Sequence, residues 1–152
     1  MRDIFLGEMV GTLILILLGN GVVANVSLNK SGMKGAGPIQ ITIAWGLAVL
    51  IPATIFGALT GAHFNPALTI ALAFKGDVAP NAVPVYIAGQ MLGAFLGQCL
   101  VYTLFKDHYD ATADNPLGVR GTFCTAPTIP NTGRNLLSEI VGTFVLVFAI
   151  LG

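Results

Sequence analysis

One stretch of this sequence decides the fold: Gly61-Ala62-His63-Phe64-Asn65-Pro66-Ala67, followed by apolar residues as far as Phe74. A helix over residues 66–74 would be roughly 13 Å long, because an α-helix rises ~1.5 Å per residue. That is less than half of the hydrocarbon core of a bilayer, which is ~30 Å thick. The segment is also too apolar to be a loop exposed to water. We therefore predict a re-entrant half-helix that enters the membrane without crossing it.

The residues at the start of this half-helix predict that it begins near the middle of the membrane. Asn65 is a preferred N-cap, and Pro66 suits the first helical position, where its missing N–H costs nothing. Residues 61–64 are predicted to be extended, with carbonyl oxygens free of helical hydrogen bonds. Irregular backbone at this depth survives only inside protein or along a water-filled cavity. We therefore expect the stretch to line a path for polar solutes, with the Asn65 amide as a donor.

Two alternatives apply to this stretch. Asn-Pro is also common in surface turns, but the apolar flanks on both sides of Asn65 argue against a turn in water. The side chain of His63 could face the path, or it could be a buried histidine that holds the loop in place. For that side chain we favour structural support.

Most of the chain consists of long apolar segments. Apolar residues make up 55% of the 152 residues and charged residues only 9%, whereas a soluble domain has about 25% charged residues. Seven basic and seven acidic side chains leave no excess positive charge, which excludes a nucleic-acid binder. The polar residues 106–134 predict an ordered excursion outside the membrane. Runs of about 20 apolar residues span a bilayer, and they predict four spans: 4–28, 39–59, 83–105 and 136–152.

Glycines recur every four residues in the third predicted span, at Gly89, Gly93 and Gly97. Small residues at that spacing let helix backbones approach closely in lipid. We predict that this glycine face packs against another helix. The same spacing occurs in two further pairs, Gly7/Gly11 and Gly57/Gly61.

Two short blocks of the sequence are alike: Gly-Glu-Met-Val-Gly-Thr at 7–12 and Ser-Glu-Ile-Val-Gly-Thr at 138–143. Each begins an apolar span and places an acid, Glu8 or Glu139, where an ionised group is costly. Repeated groups of spans are typical of transporter and channel folds. Three spans make one repeat, so the next repeat enters from the opposite side and is inverted. We assign 1–131 to the first repeat and 132–152 to the first, truncated span of the second.

The repeat predicts a role for both acids and an extent for the fold. We expect Glu8 and Glu139 to accept hydrogen bonds from the backbone N–H groups of re-entrant loops, which have few other partners in lipid. Pairing of these acids with a solute is the alternative. The 131-residue offset between them places a second Asn-Pro-Ala box near position 196. We therefore expect these 152 residues to be the N-terminal part of a longer chain, with about four spans and one half-helix.

The Asn65-Pro66-Ala67 box and the Glu-x-x-Gly-Thr blocks at Glu8 and Glu139 resemble those of the aquaporin, or major intrinsic protein, family. The resemblance runs the length of the chain. It implies an all-α membrane protein with an aquaporin-like inverted-repeat helical bundle of six spans and two half-helices. It also implies a pore in each subunit and assembly as a homotetramer in the cell membrane. The family's second Asn-Pro-Ala box and the filter arginine after it are absent from these residues.

Two further stretches resemble the glycerol facilitator branch of the family, namely Trp45-Gly46-Leu47-Ala48-Val49 and Gly121-Thr122-Phe123-Cys124-Thr125-Ala126-Pro127. By this resemblance Trp45 and Val49 line the pore, and Trp45 supplies an apolar wall for the carbon side of glycerol. The carbonyls of residues 61–64 accept from its hydroxyl groups. The alternative for Trp45 is an interfacial anchor, because Trp is enriched where membranes meet water.

The function expected from these features is a passive transmembrane channel for glycerol, other small neutral solutes and water. An ion-coupled secondary transporter would also use repeats and broken helices, and a truncated, non-conducting partner subunit is a third possibility. No nucleophile–base pair is visible, so we do not expect an enzyme. Cys99 and Cys124 form no pattern with the two histidines, and we expect neither a metal nor another cofactor.

Overall fold

The computed structural model describes residues 1–152, all as α-helices and connecting turns without strands. Four of its helices are long and apolar enough to cross a membrane, and this confirms the predicted all-α membrane fold. The elements in chain order are α1 (Arg2–Ser27), α2 (Pro38–Thr60), α3 (Pro66–Lys75), α4 (Val83–Leu104), α5 (Lys106–Asp110), α6 (Pro116–Gly121) and α7 (Thr132–Leu151).

Helix α3 is the predicted half-helix, with ten residues and a length of about 15 Å. Its first turn is capped by Asn65, whose Oδ1 accepts a hydrogen bond from the N–H of Ala67 at 2.8 Å. It ends at Gly76, which has a left-handed backbone (φ 94°) and donates its N–H to the carbonyls of Leu72 and Ala73. Both ends of this short helix are therefore fixed by its own sequence.

Helices α1 and α4 pack with their backbones almost in contact, as the glycine spacing in α4 predicts. A Cβ atom added to any of the three glycines of that face would fall 2.7 Å or less from a carbonyl oxygen of α1. The closest approach is at Gly93, where it would lie 2.1 Å from the oxygen of Met9. No other residue type fits these positions without separating the two helices. Helix α2 packs against α1 of this pair, and α3 packs against α4.

The other glycine pairs have different roles. A Cβ atom on Gly7 would lie 2.5 Å from the Thr60 methyl group, and one on Gly11 would lie 2.0 Å from the ring of Phe64. The absence of side chains at Gly7 and Gly11 therefore leaves room for the end of α2 and for the loop after it, and not for α4. Gly57 has open space around it, so the spacing of Gly57 and Gly61 does not mark a helix contact within the chain.

The polar excursion after α4 is ordered by two short helices and by the end of α1. Asn115 caps α6 by accepting from the N–H of Gly118 at 3.0 Å. Asn29, just beyond α1, donates its backbone N–H to Thr112 Oγ1 and its side-chain amide to the Ala111 carbonyl, both at 2.8 Å. Tyr109 of α5 is buried in a small apolar cluster with Ala24, Leu28 and Val101.

Helix α7 differs from the other long helices because none of its residues is buried. Asn131 caps its start by accepting from the N–H of Arg134 at 3.1 Å. Among the other helices, its main contacts are with α3. The helix begins four residues before the predicted span, because the Asn131 cap starts it in the polar segment.

Candidate functional site

The loop before α3 does not have the extended backbone that the sequence predicted. Gly61, Ala62 and Phe64 all have positive φ, at 82°, 53° and 47°. A left-handed residue next to an ordinary one, as in the pair His63–Phe64, turns successive N–H groups toward one side and forms a concave anion-binding surface. The N–H groups of His63 and Phe64 both point at one carboxylate. The prediction of irregular backbone was right, and the prediction of an extended conformation was wrong.

The carboxylate that receives these N–H groups belongs to Glu8, which is 0% exposed. Its Oε1 accepts from Thr60 Oγ1 at 2.7 Å and from the N–H of His63 at 3.1 Å. Its Oε2 accepts from the N–H of Phe64 at 2.8 Å and from Gln90 Nε2 at 2.8 Å. Each oxygen therefore has two donors, which is the condition under which a charge is tolerated away from water.

Other buried polar side chains extend the network from Glu8 to the half-helix. The hydroxyl of Tyr86 donates to the Thr60 carbonyl at 2.7 Å and thereby closes the end of α2. Gln90 Nε2 also donates to Thr69 Oγ1 at 3.0 Å, and the Thr69 hydroxyl donates to the Asn65 carbonyl at 3.1 Å. The loop is thus connected to α1, α3 and α4 by hydrogen bonds within the chain.

The side chain of His63 lies inside this network. Its ring stacks on the ring of Tyr86, with centroids 4.3 Å apart and planes inclined by 12°. Its Nδ1 is 3.1 Å from Thr69 Oγ1. The Thr69 hydroxyl has one proton and lies 3.1 Å from both the Asn65 carbonyl and His63 Nδ1; with that proton on the carbonyl, His63 Nδ1 is the donor of their contact. In the neutral ring, Nε2 is then the unprotonated nitrogen.

The polar groups that remain free in the loop are carbonyl oxygens and one amide. No hydrogen bond within the chain ends on the carbonyls of Gly61, Ala62, His63 or Phe64. Asn65 uses its Oδ1 for the cap, which leaves its Nδ2 group without a partner. A row of acceptors beside one donor suits a molecule with hydroxyl groups. The positive end of the α3 dipole adjoins them and disfavours cations.

Trp45 lies apart from the loop but against the same helix, α1. Its half-buried indole packs on Gly19, whereas Phe64 packs on Gly11. Those glycines are eight residues apart, which corresponds to about 12 Å along the helix. Val49 lies one turn after Trp45 on α2 and is 47% exposed. The structure therefore places an aromatic ring and an aliphatic side chain at a different depth from the carbonyls.

Glu139 is not part of the Glu8 network. It is exposed in α7 and forms no hydrogen bond with residues 61–64. It does share a cleft of about 480 Å³ with Ala67, at the first turn of the half-helix. Its predicted role toward a second re-entrant loop concerns a segment that is expected near position 196. That role stays a prediction.

Sequence reasoning missed four side chains of the network: Thr60, Thr69, Tyr86 and Gln90. The available signal was Gln90, an amide in the middle of an apolar span, because polar groups there usually have a partner. The pattern gave no signal for the threonines, since a threonine in a membrane helix often bonds to its own backbone. No cluster of three His, Cys, Asp or Glu side chains is present that would hold a metal ion.

Comparisons with known proteins agree with this geometry. The chain matches the major intrinsic protein family over residues 2–152. It is 50% identical over 147 residues to the glycerol uptake facilitator protein of Bacillus subtilis, covering 97% of this chain and 53% of that protein. It is 51% identical over 150 residues to the glycerol uptake facilitator protein of Streptococcus pneumoniae strain R6, covering 99% and 63%. Aquaglyceroporin-3 of Trypanosoma brucei brucei is 38% identical over 158 residues, with 99% and 50% covered.

The fold and the site place the chain in the class of helical membrane proteins built around a re-entrant half-helix. Within that class, the chain belongs to the major intrinsic protein family. The chain spans a little over half to about two thirds of the length of the first bacterial relatives.

Proposed function

We propose that the protein is a passive transmembrane channel for glycerol, other small neutral solutes and water. The observation that carries the proposal is the row of free carbonyls from Gly61 to Phe64 beside the free amide of Asn65. A polyol that leaves water must replace its hydrogen bonds, and this row supplies acceptors with one donor at its end. The names of the bacterial relatives, glycerol uptake facilitator proteins, point to the same solute.

Each predicted site residue has a place in this proposal. The carbonyls of Gly61, Ala62, His63 and Phe64 accept from solute hydroxyls, and Asn65 Nδ2 donates to a passing oxygen. Pro66 and Ala67 begin the half-helix and thereby fix where that donor stands. Trp45 and Val49 form an apolar wall for the carbon side of the solute. A polyol needs both surfaces, because its hydroxyl groups and its C–H groups face different sides.

We also propose that Glu8 is a scaffold residue and not a solute ligand. Its four hydrogen bonds leave no position for a solute. By the repeat, Glu139 performs the same task for a second loop. In this proposal residues 1–131 form the first inverted repeat and 132–152 begin the second.

Passive conduction is favoured over ion coupling because the buried ionisable side chains near the loop already have partners within the chain. Coupling requires an ionisable group that faces the solute and changes its charge during transport. Glu8 is enclosed by donors, and the ring of His63 is 8% exposed and stacked on Tyr86, so neither group faces the solute. A glycerol flux that a protonophore or the removal of sodium abolishes would contradict the proposal.

The test is stopped-flow swelling of proteoliposomes that contain the whole protein. Glycerol and water fluxes should follow their own gradients alone. The variant Asn65→Asp keeps the helix cap but replaces the free donor with an acceptor, so we expect a lower glycerol flux from folded protein. Asp77→Asn, in the exposed turn after α3, is the control and should leave the flux unchanged.

We further propose that the protein assembles as a homotetramer. The support is the family resemblance together with the outward-facing apolar residues of α2, which include Ile39, Ile43, Leu47 and Ile55. Native mass spectrometry of detergent-purified protein tests this state. A monomeric or dimeric mass would contradict the tetramer and leave the channel proposal intact.

A further inference from the structure

Tyr86 connects α4 to the loop before the half-helix through two separate contacts. The side chain is 7% exposed and packs with Val78 and Ala82, which lie in the connection between α3 and α4. Its hydroxyl donates to the Thr60 carbonyl at 2.7 Å, and its ring stacks on the ring of His63. One side chain therefore reaches both the residue just before the row of free carbonyls and a residue inside that row.

The hydroxyl contact fixes the peptide unit between Thr60 and Gly61. The N–H of Gly61 donates to the Gly57 carbonyl at 2.9 Å and closes the last turn of α2. The Thr60 carbonyl, at the other end of the same peptide unit, has no partner within the helix, because the last carbonyls of a helix never do. Tyr86 supplies the missing donor. The peptide unit from which the row of carbonyls starts is thus held at both ends.

The side chain of Thr60 is held from a different helix. Its hydroxyl donates to Glu8 of α1 at 2.7 Å and accepts from the N–H of Ala62 at 3.1 Å. The two N–H groups that follow in the loop donate to the same carboxylate. Helix α1 therefore fixes the N–H groups of the loop through Glu8, whereas α4 fixes the carbonyl that precedes the row through Tyr86.

The stacked rings fix the middle of the row. The ring centroids of Tyr86 and His63 are 4.3 Å apart and the planes are inclined by 12°. The imidazole is also held through its Nδ1, which lies 3.1 Å from Thr69 Oγ1. Tyr86 thus covers one face of the His63 ring while Thr69 holds its edge. The backbone carbonyl of His63 has a fixed place because the side chain beside it is held in this way.

We propose that Tyr86 is a positioning residue that sets the spacing of the carbonyls from Gly61 to Phe64 and thereby favours polyols over water. It acts through Thr60 and His63 and does not touch the solute. A polyol carries hydroxyl groups at fixed separations, so it bonds to several carbonyls at once only where these stand at matching positions. A water molecule turns freely and finds an acceptor in a less regular row. The proposal rests on the channel function proposed above for the same carbonyls.

Tyr86→Phe tests the hydroxyl alone, because it keeps the stacked ring and leaves the Thr60 carbonyl without its donor. In proteoliposomes with the whole protein, we expect glycerol permeability to fall about five-fold, the factor that loss of one ordinary hydrogen bond corresponds to. Water permeability should stay near the wild-type value. The matched control is Tyr102→Phe on the same helix, because Tyr102 is 42% exposed and its hydroxyl forms no hydrogen bond within the chain.

The ratio of the two permeabilities separates positioning from general damage, which lowers both alike. An unchanged glycerol-to-water ratio with Tyr86→Phe, beside a conducting wild type, overturns the role of Tyr86 and leaves the channel standing. A wild type without glycerol flux refutes the channel itself, and the role of Tyr86 with it.

A second variant covers the case in which Tyr86→Phe does not fold. Val78→Ala keeps Tyr86 and the loop intact but removes two methyl groups that pack with the tyrosine, so its ring is held less firmly. We expect a smaller fall of the glycerol-to-water ratio in the same direction. Val119→Ala removes the same two groups from the apolar cluster around Tyr109 and should keep the wild-type ratio. A Val78→Ala protein that melts earlier yet keeps the wild-type ratio would show that Tyr86 supports the fold alone, which overturns the proposal.

Discussion

The indole of Trp45 rests directly on Gly19, so closely that a Cβ atom on Gly19 would fall 2.7 Å from three of its ring atoms. The position of the ring is therefore set by the absence of a side chain on α1. No hydrogen bond within the chain holds the indole N–H, and the ring is held by packing alone.

Trp45→His should shift the permeability of the whole protein from glycerol toward water. A polar ring solvates water at this depth but removes the apolar face that carries C–H groups. The lost contact should cost a passing solute roughly 1–3 kcal/mol, the scale of burying a large apolar side chain. Protons should remain excluded because the dipole of α3 is untouched. Stopped-flow swelling with glycerol and with sucrose measures both permeabilities.

Trp45→Phe is the matched control, because it keeps an apolar ring and should retain most of the glycerol preference. If the glycerol-to-water ratio is the same for wild type, Trp45→Phe and Trp45→His, then Trp45 is only an interfacial anchor.

Glu8→Gln should lower the yield of folded protein more than it changes solute preference. An amide offers one acceptor oxygen, and its NH2 group would face one of the pairs of donors that Glu8 now satisfies. An unsatisfied buried donor costs about 1–3 kcal/mol. Fluorescence-detected size-exclusion chromatography and a thermal melt measure yield and stability. Asp3→Asn, an exposed acid in the first turn of the same helix, should behave as wild type. Normal yield with altered selectivity would instead indicate a glutamate that faces the solute.

Gly93→Ala should destabilise the protein although it adds only a methyl group. That group would lie 2.1 Å from the Met9 carbonyl oxygen, so α1 and α4 must separate. We expect a cost of about 1–3 kcal/mol, typical of overpacking. Gly21→Ala is the control, because a Cβ atom there meets nothing within 4 Å. A melting temperature that falls equally in both variants would show that helix flexibility, not close packing, is the reason for the glycines.

Thr69→Val should loosen the link between α4 and the half-helix. The hydroxyl serves Gln90, His63 and the Asn65 carbonyl at once, and valine has the same shape without the oxygen. Loss of a buried acceptor leaves the Gln90 and His63 donors unsatisfied, at about 1–3 kcal/mol each. Thr69→Ser keeps the oxygen and should recover most of the loss in a thermal melt. A Val variant as stable as the wild type beside a destabilised Ser variant would show that the methyl group, not the hydroxyl, matters at this position.

The lengths of the apolar segments and the residues that cap the helices made the fold predictable from the sequence. The half-helix follows from too few apolar residues for a span, and its start follows from Asn65 and Pro66. The same Asn-Pro pair recurs at Asn115, where it caps α6. The sequence predicts only an ordered excursion there, because six residues are too few to show the hydrophobic period of a helix.

The loop conformation could not be predicted in the same way. A glycine in a sequence indicates that a positive φ is possible there. Ala62 and Phe64 also have a positive φ, and their residue types do not predict it. Their conformation is imposed from outside by the Glu8 carboxylate, which lies more than 50 residues earlier. The glycine face of α4 predicted a close helix contact, but the repeat of glycines alone does not say that α1 is the partner.

The bonds of Glu8 also determine an order of events during synthesis. Glu8 enters the membrane early, yet Thr60 follows it by 52 residues and Gln90 by 82. At about 5–20 residues per second, the last donor is made roughly 4–16 seconds after the acid. Until Thr60 and the loop after it have been made, the carboxylate has none of these donors, and an ionised carboxylate without donors is costly in lipid. The set of four hydrogen bonds that buries Glu8 of α1 is therefore complete only after the first half of α4 has been made.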